Sequence, residues 1–282
     1  MCSRSRNASA VLLCTALAAP GFAADTHILR ICADPNNLPF SNRQSEGFEN
    51  KLAQILSHDL SLELKYVWFS ERKNFLRNSL GAGLCDAVLG VPIDIDDALV
   101  TRPYYRSTYV VVTRADRRLK IESLYDPQLK GLRIGIHVVE DDYAPPAHLL
   151  ASQGLSANIV GYSLLGAYGA PNPPARLMDA VAAGAVDVAI VWGPLAGYFA
   201  RKSATPLSIE TVSPTRFQMI PFTYSIGVGV RKGNEALRDA IQNVLDKECP
   251  KVQRLLQEYG IPSPREDAVS CATSPSAAAS LR

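Results

Sequence analysis

Apolar and polar positions along the chain fall into a short cycle that runs twice. Ile28-Leu29-Arg30-Ile31-Cys32-Ala33 predicts a strand, and Asp34-Pro35-Asn36-Asn37-Leu38-Pro39 a turn-rich loop after it. From Gly47 to Leu60 the residues Phe48, Leu52, Ile55, Leu56 and Leu60 share one helical face. Residues 62–68 then alternate like a strand, and residues 74–81 predict a second helix presenting Phe75, Leu76 and Leu80. The unbroken apolar run of residues 85–92 reads as a strand covered on both faces. The cycle then restarts. Residues 131–137 echo the first strand, residues 146–153 open a helix, and residues 157–162 give another strand. A helix over residues 175–183 delivers Asp187-Val188-Ala189-Ile190-Val191-Trp192-Gly193-Pro194. In both halves a helix ends near glycine, a short loop follows, and an aspartate (Asp86 or Asp187) opens an apolar strand.

Strand, helix, strand, helix, strand occurring twice predicts an α/β fold of two lobes, each a mostly parallel sheet flanked by helices. Between the cycles lies Thr101-Arg102-Pro103-Tyr104-Tyr105-Arg106-Ser107-Thr108-Tyr109-Val110-Val111-Val112, a proline-fixed loop running into a strand. Residues 224–231 predict a second such crossing, after which residues 234–245 and 252–259 read as amphipathic helices. The expected organisation is lobe 1 over 24–112, lobe 2 over 113–223, a return to lobe 1 over 224–262, and a disordered Ser/Ala/Pro-rich tail over 263–282. Two crossings make a hinge, and hinge closure around a ligand is the motion such a pair of lobes supports.

In open α/β sheets the ligand crevice lies beyond the carboxyl ends of the strands. That rule selects Asp34, Asn36, Asn37, Trp68, Val91, Pro92, residues 137–140, Tyr162, Trp192, Gly193 and Pro194. Two tyrosines and two arginines at the first crossing add Tyr104, Tyr105, Arg102 and Arg106, either as a ligand wall or as boundary packing.

Charge adds little to this picture. The chain has 29 basic and 27 acidic residues, so neither a nucleic-acid face nor a polybasic membrane patch is implied. Residues 1–23 read as an export signal: Arg4 and Arg6, an apolar run over residues 10–19, then Gly21-Phe22-Ala23 for cleavage. The run is shorter than the ~20 residues needed to span a bilayer, and cleavage there leaves a mature chain expected outside the cytoplasm. Cys2 and Cys14 leave with the signal. Of the remaining Cys32, Cys85, Cys249 and Cys271, we expect the pairs Cys32–Cys85, within one lobe, and Cys249–Cys271, near the tail; free buried thiols are the alternative.

His27, His58, His137 and His148 show no metal-ligand spacing, and GxSxG, P-loop and GxGxxG motifs are absent. The acidic runs at 94–97 and 140–142 lack the glycine and closing glutamate of an EF-hand. We therefore expect no metal, no cofactor and no catalytic residue. Asp34 with His137 is the one acid–base pair a cleft enzyme could use.

Residues 27–262 resemble the amino-acid type of periplasmic solute-binding proteins (solute-binding family 3). The anchors are Pro39-Phe40, Gly47-Phe48-Glu49, Cys85-Asp86-Ala87-Val88, Pro103-Tyr104-Tyr105 and Val230-Arg231-Lys232-Gly233. A narrower match runs through residues 32–42, 47–51, 101–109 and 191–198. It is similar to the J-type accessory proteins encoded with quinone-dependent methanol dehydrogenases. That resemblance implies a type II binding-protein fold and a PQQ-dependent methanol or alcohol dehydrogenase as partner, with its cytochrome c in an electron-transfer complex. It implies no settled ligand.

Against the amino-acid binders the chain departs at three points. The segment that there carries a carboxylate-gripping arginine, here residues 91–101, has Asp94, Asp96 and Asp97 and no arginine. Trp192 stands where they place an acid, and Asn37 where they place a stacking ring. Arg102 or Arg106 is the candidate substitute cation. The expected mouth is aromatic, with Trp68, Tyr104, Tyr105, Tyr162, Trp192 and Tyr198, suited to a flat or apolar guest or to a partner's side chain. The alternatives are rings that merely close the lobes together, a transporter receptor for a small non-zwitterionic solute, and a periplasmic dehydratase-like enzyme.

Overall fold

The computed structural model describes residues 27–70, 73–165 and 172–261. The expected signal, the tail over 263–282 and Cys271 lie outside them. Lobe 1 begins with β1 (Ile28–Ala33), α1 (Phe48–Asp59), β2 (Glu63–Trp68) and β3 (Ala87–Pro92). After the crossing strand β4 (Tyr105–Arg114) come β5 (Ile134–Val139), α2 (Pro146–Ser152), β6 (Ile159–Ser163), α3 (Arg176–Ala182), β7 (Val188–Trp192), α4 (Gly193–Lys202) and β8 (Leu207–Thr211). The chain returns through β9 (Thr223–Val230) and closes with α5 (Glu235–Lys247) and α6 (Cys249–Glu258).

The strands join in the order β6-β5-β7-β4-β9-β3-β1-β2, with β8 also on β4. β1 is parallel to β2 and β3, and β5 is parallel to β6 and β7. β9 lies antiparallel against β3 as β4 lies antiparallel against β7, so the halves are built alike. β4 serves both: Tyr105 to Thr108 pair with β9, whereas Tyr109 to Thr113 pair with β7 and β8. The passage between sheets thus falls within β4 between Thr108 and Tyr109.

Each lobe has its own apolar interior. Phe48, Leu52 and Leu56 of α1 are wholly buried beneath the lobe 1 sheet, as their spacing predicts. Each contributes roughly 1.5–3 kcal/mol relative to an exposed position. Cys32 and Cys85 form a disulfide with Sγ atoms 2.05 Å apart, which ties β1 to the entrance of β3.

Three elements differ from expectation. The 74–81 helix is a short π-helical segment, Arg77–Gly81, preceded by Asn74 in the left-handed region at φ 62°. Gly193-Pro194, read as loop, opens α4, since a first-turn residue has no intrahelical N–H bond for proline to break. Pro250 likewise sits in the first turn of α6, which begins at Cys249 rather than near Val252.

Candidate functional site

A cavity of about 660 Å³ lies between the lobes. The crossing strands supply Tyr105 and Tyr109 from β4 and Tyr224 and Ile226 from β9, and Trp192 closes this side from the end of β7. Side chains two apart on a strand share a face, which is why residues 105 and 109, and 224 and 226, appear together. Tyr109 is the cross-strand partner of Trp192, with ring centroids 5.4 Å apart, and Trp192 meets Tyr224 edge to face at 5.7 Å. Burial pushes the Tyr109 and Tyr224 phenols above their ordinary values, so both rings stay neutral.

Lobe 1 contributes Asp34, Asn37 and Phe40 from the loop after β1, Glu49 from the first turn of α1, and Val88 to Pro92 of β3. β3 is irregular here. Its pairing with β9 shifts between Gly229 and Gly227, and Gly90 lies at φ +78°, which favours glycine. A Cβ on Gly90 would stand 2.5 Å from Glu49 Oε1, so the missing side chain leaves room for that carboxylate. Lys73 and Arg77 line the cavity from lobe 1, and Asp142 and Tyr143 from lobe 2. Lys73 Nζ and Asp142 Oδ2 are 3.2 Å apart, an ion pair across the opening.

From lobe 2 come His137 and Val139 of β5, Pro145, Leu164, Leu165 and Leu195. His137 is buried, and its Nε2 lies 3.2 Å from the Pro174 carbonyl. Because a carbonyl can only accept, Nε2 carries the proton and donates. Burial lowers the imidazole pKa to about 4, outweighing that bond, so His137 is neutral and a weak base.

Of the residues expected at the crevice, Asp34, Asn37, Val91, Pro92, Tyr105, His137, Val139 and Trp192 line the cavity, whereas Asn36, Trp68, Tyr104, Tyr162, Gly193 and Tyr198 do not. Asn36 pairs with Asn42 in a short hairpin. Trp68 stacks on Tyr66 at 4.6 Å, with the Arg43 guanidinium 5.7 Å from its ring centroid. Tyr104 is buried behind Tyr105, and Tyr162 packs on the lobe 2 core. Gly193 is buried at the start of α4. Tyr198 stacks on Tyr259 at 5.7 Å, along a seam where Arg201 donates to the Gln257 and Glu258 carbonyls at the end of α6.

Neither candidate cation reaches the cavity. Arg102 Nη2 pairs with Asp246 Oδ2 on α5 at 2.5 Å, and Arg106, one residue along β4 from Tyr105, lies outside the lining. Tyr109, Tyr224, Phe40, Glu49 and Gly90 are cavity residues that the end-of-strand rule did not select.

Two α/β lobes joined by two strand crossings, with a cavity at the carboxyl ends of their strands, define a type II periplasmic-binding-protein fold. Fold-level likeness extends to an ancestral cationic amino acid solute-binding protein, at 18% identity and a TM-score of 0.64 over 83% of this chain and 96% of that one. No family model matches the sequence. Protein MoxJ of Methylorubrum extorquens is 32% identical over 261 residues, 88% of this chain and 85% of that protein. The MoxJ of Paracoccus denitrificans is 32% identical over 88% of this chain and 92% of its own length. The periplasmic binding protein XoxJ from Methylobacterium extorquens AM1 matches at 32% identity and a TM-score of 0.68, covering 84% of this chain and 99% of that one. MxaJ from Methlophaga aminisulfidivorans MPT matches at 27% identity and a TM-score of 0.71, with 84% and 100% covered. The chain belongs to the MoxJ family.

Proposed function

We propose that the chain is an exported accessory factor that works in the periplasm by binding, and that it assists a PQQ-dependent methanol or alcohol dehydrogenase in maturation or in its electron-transfer complex. The observation that carries this reading is a cavity that lacks zwitterion grips at the positions where the amino-acid binders place them, in a member of the MoxJ family. Asp97 lines it where a carboxylate-binding arginine would be needed, Trp192 occupies the acid position, and Arg102 is committed to Asp246. Among the described residues no helix is long and apolar enough to cross a membrane.

A second reading, a receptor for a small solute, is favoured by the cavity volume, which falls in the range of ligand sites. The dehydratase option is weakened by His137, whose low basicity and bond to Pro174 leave it poorly suited to take a proton at neutral pH. The discriminating experiment is affinity purification of the tagged chain from its native periplasm at low and moderate salt. Co-purification of the dehydrogenase is the expected result, and clean separation at both salts overturns the accessory reading.

A further inference from the structure

We propose that the cavity holds a small organic cation of the alkylammonium class, with its charged head against Trp192, Tyr109 and Tyr224. This rests on the reading that the cleft is a working binding site, and it names the chemistry of the guest.

The three rings do not lie flat on one another. Tyr109 is inclined 57° to Trp192 and Trp192 is at 72° to Tyr224, so consecutive rings turn different faces and edges toward their surroundings. Rings set at such angles can bring more than one π-face to a single compact group. An ammonium is drawn to the negative face of each ring, and more strongly once water is excluded. Phenols kept neutral by burial leave the attraction to the ring faces themselves.

The charged lining has the matching sign. Asp34, Glu49, Asp97 and Asp142 face the cavity, against Lys73 and Arg77. Lys73 is paired with Asp142, which leaves Arg77 against Asp34, Glu49 and Asp97. His137 adds no charge at neutral pH. Glu49 is no loose surface acid: it sits in the first turn of α1, where the helix N-terminus favours a carboxylate, in the space left by Gly90. A carboxylate guest would meet an excess of acids over bases, whereas an alkylammonium meets complementary charge and an apolar wall together.

The test compares choline with 3,3-dimethylbutan-1-ol, which has the same shape with carbon in place of the charged nitrogen. Binding to the purified chain is followed by calorimetry and by the shift in melting temperature. Choline is expected to bind at least about tenfold more tightly than the neutral alcohol, and Trp192→Leu to lose about tenfold in choline affinity. Tyr224→Leu is the second variant, with folding of both checked by circular dichroism. Equal or tighter binding of the alcohol overturns the proposal, as does the absence of choline binding, or undiminished binding in both folded variants. Dehydrogenase co-purification is scored on the same preparations. If it persists while choline fails to bind, the cation site falls and the accessory reading stands; if choline binds and co-purification is lost, the reverse holds.

Discussion

In lobe 1 the Arg30 guanidinium grips Asp86 through two hydrogen bonds, Nε to Oδ2 at 3.1 Å and Nη2 to Oδ1 at 2.6 Å, and its backbone N–H donates to Oδ2 at 2.9 Å. In lobe 2 Arg133 binds Asp187 with the same atoms, at 3.0, 3.2 and 2.9 Å. The strand registers agree as well: Ile31 faces Ala87 and Cys32 faces Val88, as Ile134 faces Val188 and Gly135 faces Ala189. One step further the halves part. Where lobe 1 has Cys32 bonded to Cys85, lobe 2 has Gly135 beneath Val186 and Leu177. A covalent link and close packing thus occupy one structural position. At the opposite, carboxyl ends of the same strands the halves differ entirely, with Asp34 and Pro92 on one side and His137 and Trp192 on the other. The entrances of the strands carry the shared architecture, and the exits carry the chemistry.

The largest difference between the halves should be stability under reduction. The disulfide closes a stretch with a sequence separation of 53. Chain-entropy reasoning assigns such a loop about 4 kcal/mol. The Cys32→Ala/Cys85→Ala variant is expected to lose about that much in urea unfolding. No shift in the midpoint would mean that packing alone holds β1 to β3. Lobe 2 is probed by Gly135→Ala. The new methyl would stand 2.4 Å from Leu177 Cδ1 and 3.2 Å from a Val186 methyl, so one side chain must move. Overpacking of this kind costs about 1–3 kcal/mol. Adding Leu177→Ala should remove the clash while leaving the cost of its own lost packing, so the two changes should be less than additive.

The shared plan was readable because it lives in periodicity: an Asp-led apolar strand after a glycine, twice, needs no long-range information. The cavity was readable mainly where it coincides with strand exits near the middle of each sheet, at Asp34, Val91, Pro92, His137 and Trp192. Trp68 and Tyr162 also end strands, but β2 and β6 are the outermost strands of the main sheet path. Their ends fall to the side of the crevice, and lateral order is not written in chain order. Tyr109 and Tyr224 escaped notice because they sit inside strands and reach the cavity by alternation once the crossing is placed. Glu49 depends on the kink at Gly90, a feature of backbone geometry with no periodic signature. Tyr198 lies on α4, opened by a Gly193-Pro194 pair that reads as a loop in the sequence, and stacks on Tyr259 outside the cavity lining.

The smallest contrast concerns the two aspartates themselves, and acid should expose it. The Arg133 hydrogen bonds, with a further one from Arg117, hold the Asp187 carboxyl well below the usual range despite the opposing effect of burial. For Asp86 burial is the largest influence and pushes the carboxyl up, but the Arg30 bonds together with the Arg30 and Arg231 charges outweigh it and leave it below its ordinary value. A depressed carboxyl stabilises the fold fully above the unfolded value near pH 4, and that stability drains away as pH falls toward the folded value. Asp187→Asn should therefore cost about 1–2 kcal/mol at pH 7, with Asp86→Asn costing less. Asp187 is the less exposed side chain, 11% against 17%, and it ties down two guanidiniums at close range, whereas Arg231 stands 3.9 Å from Asp86. The gap between native and variant chains should close as pH drops below about 4, and later for Asp187 than for Asp86. Urea midpoints from pH 7 down to pH 3 would read both curves. A gap that stays constant across that range would mean the clips act through shape alone, and the agreement between the two strand entrances would then be geometric with no electrostatic share.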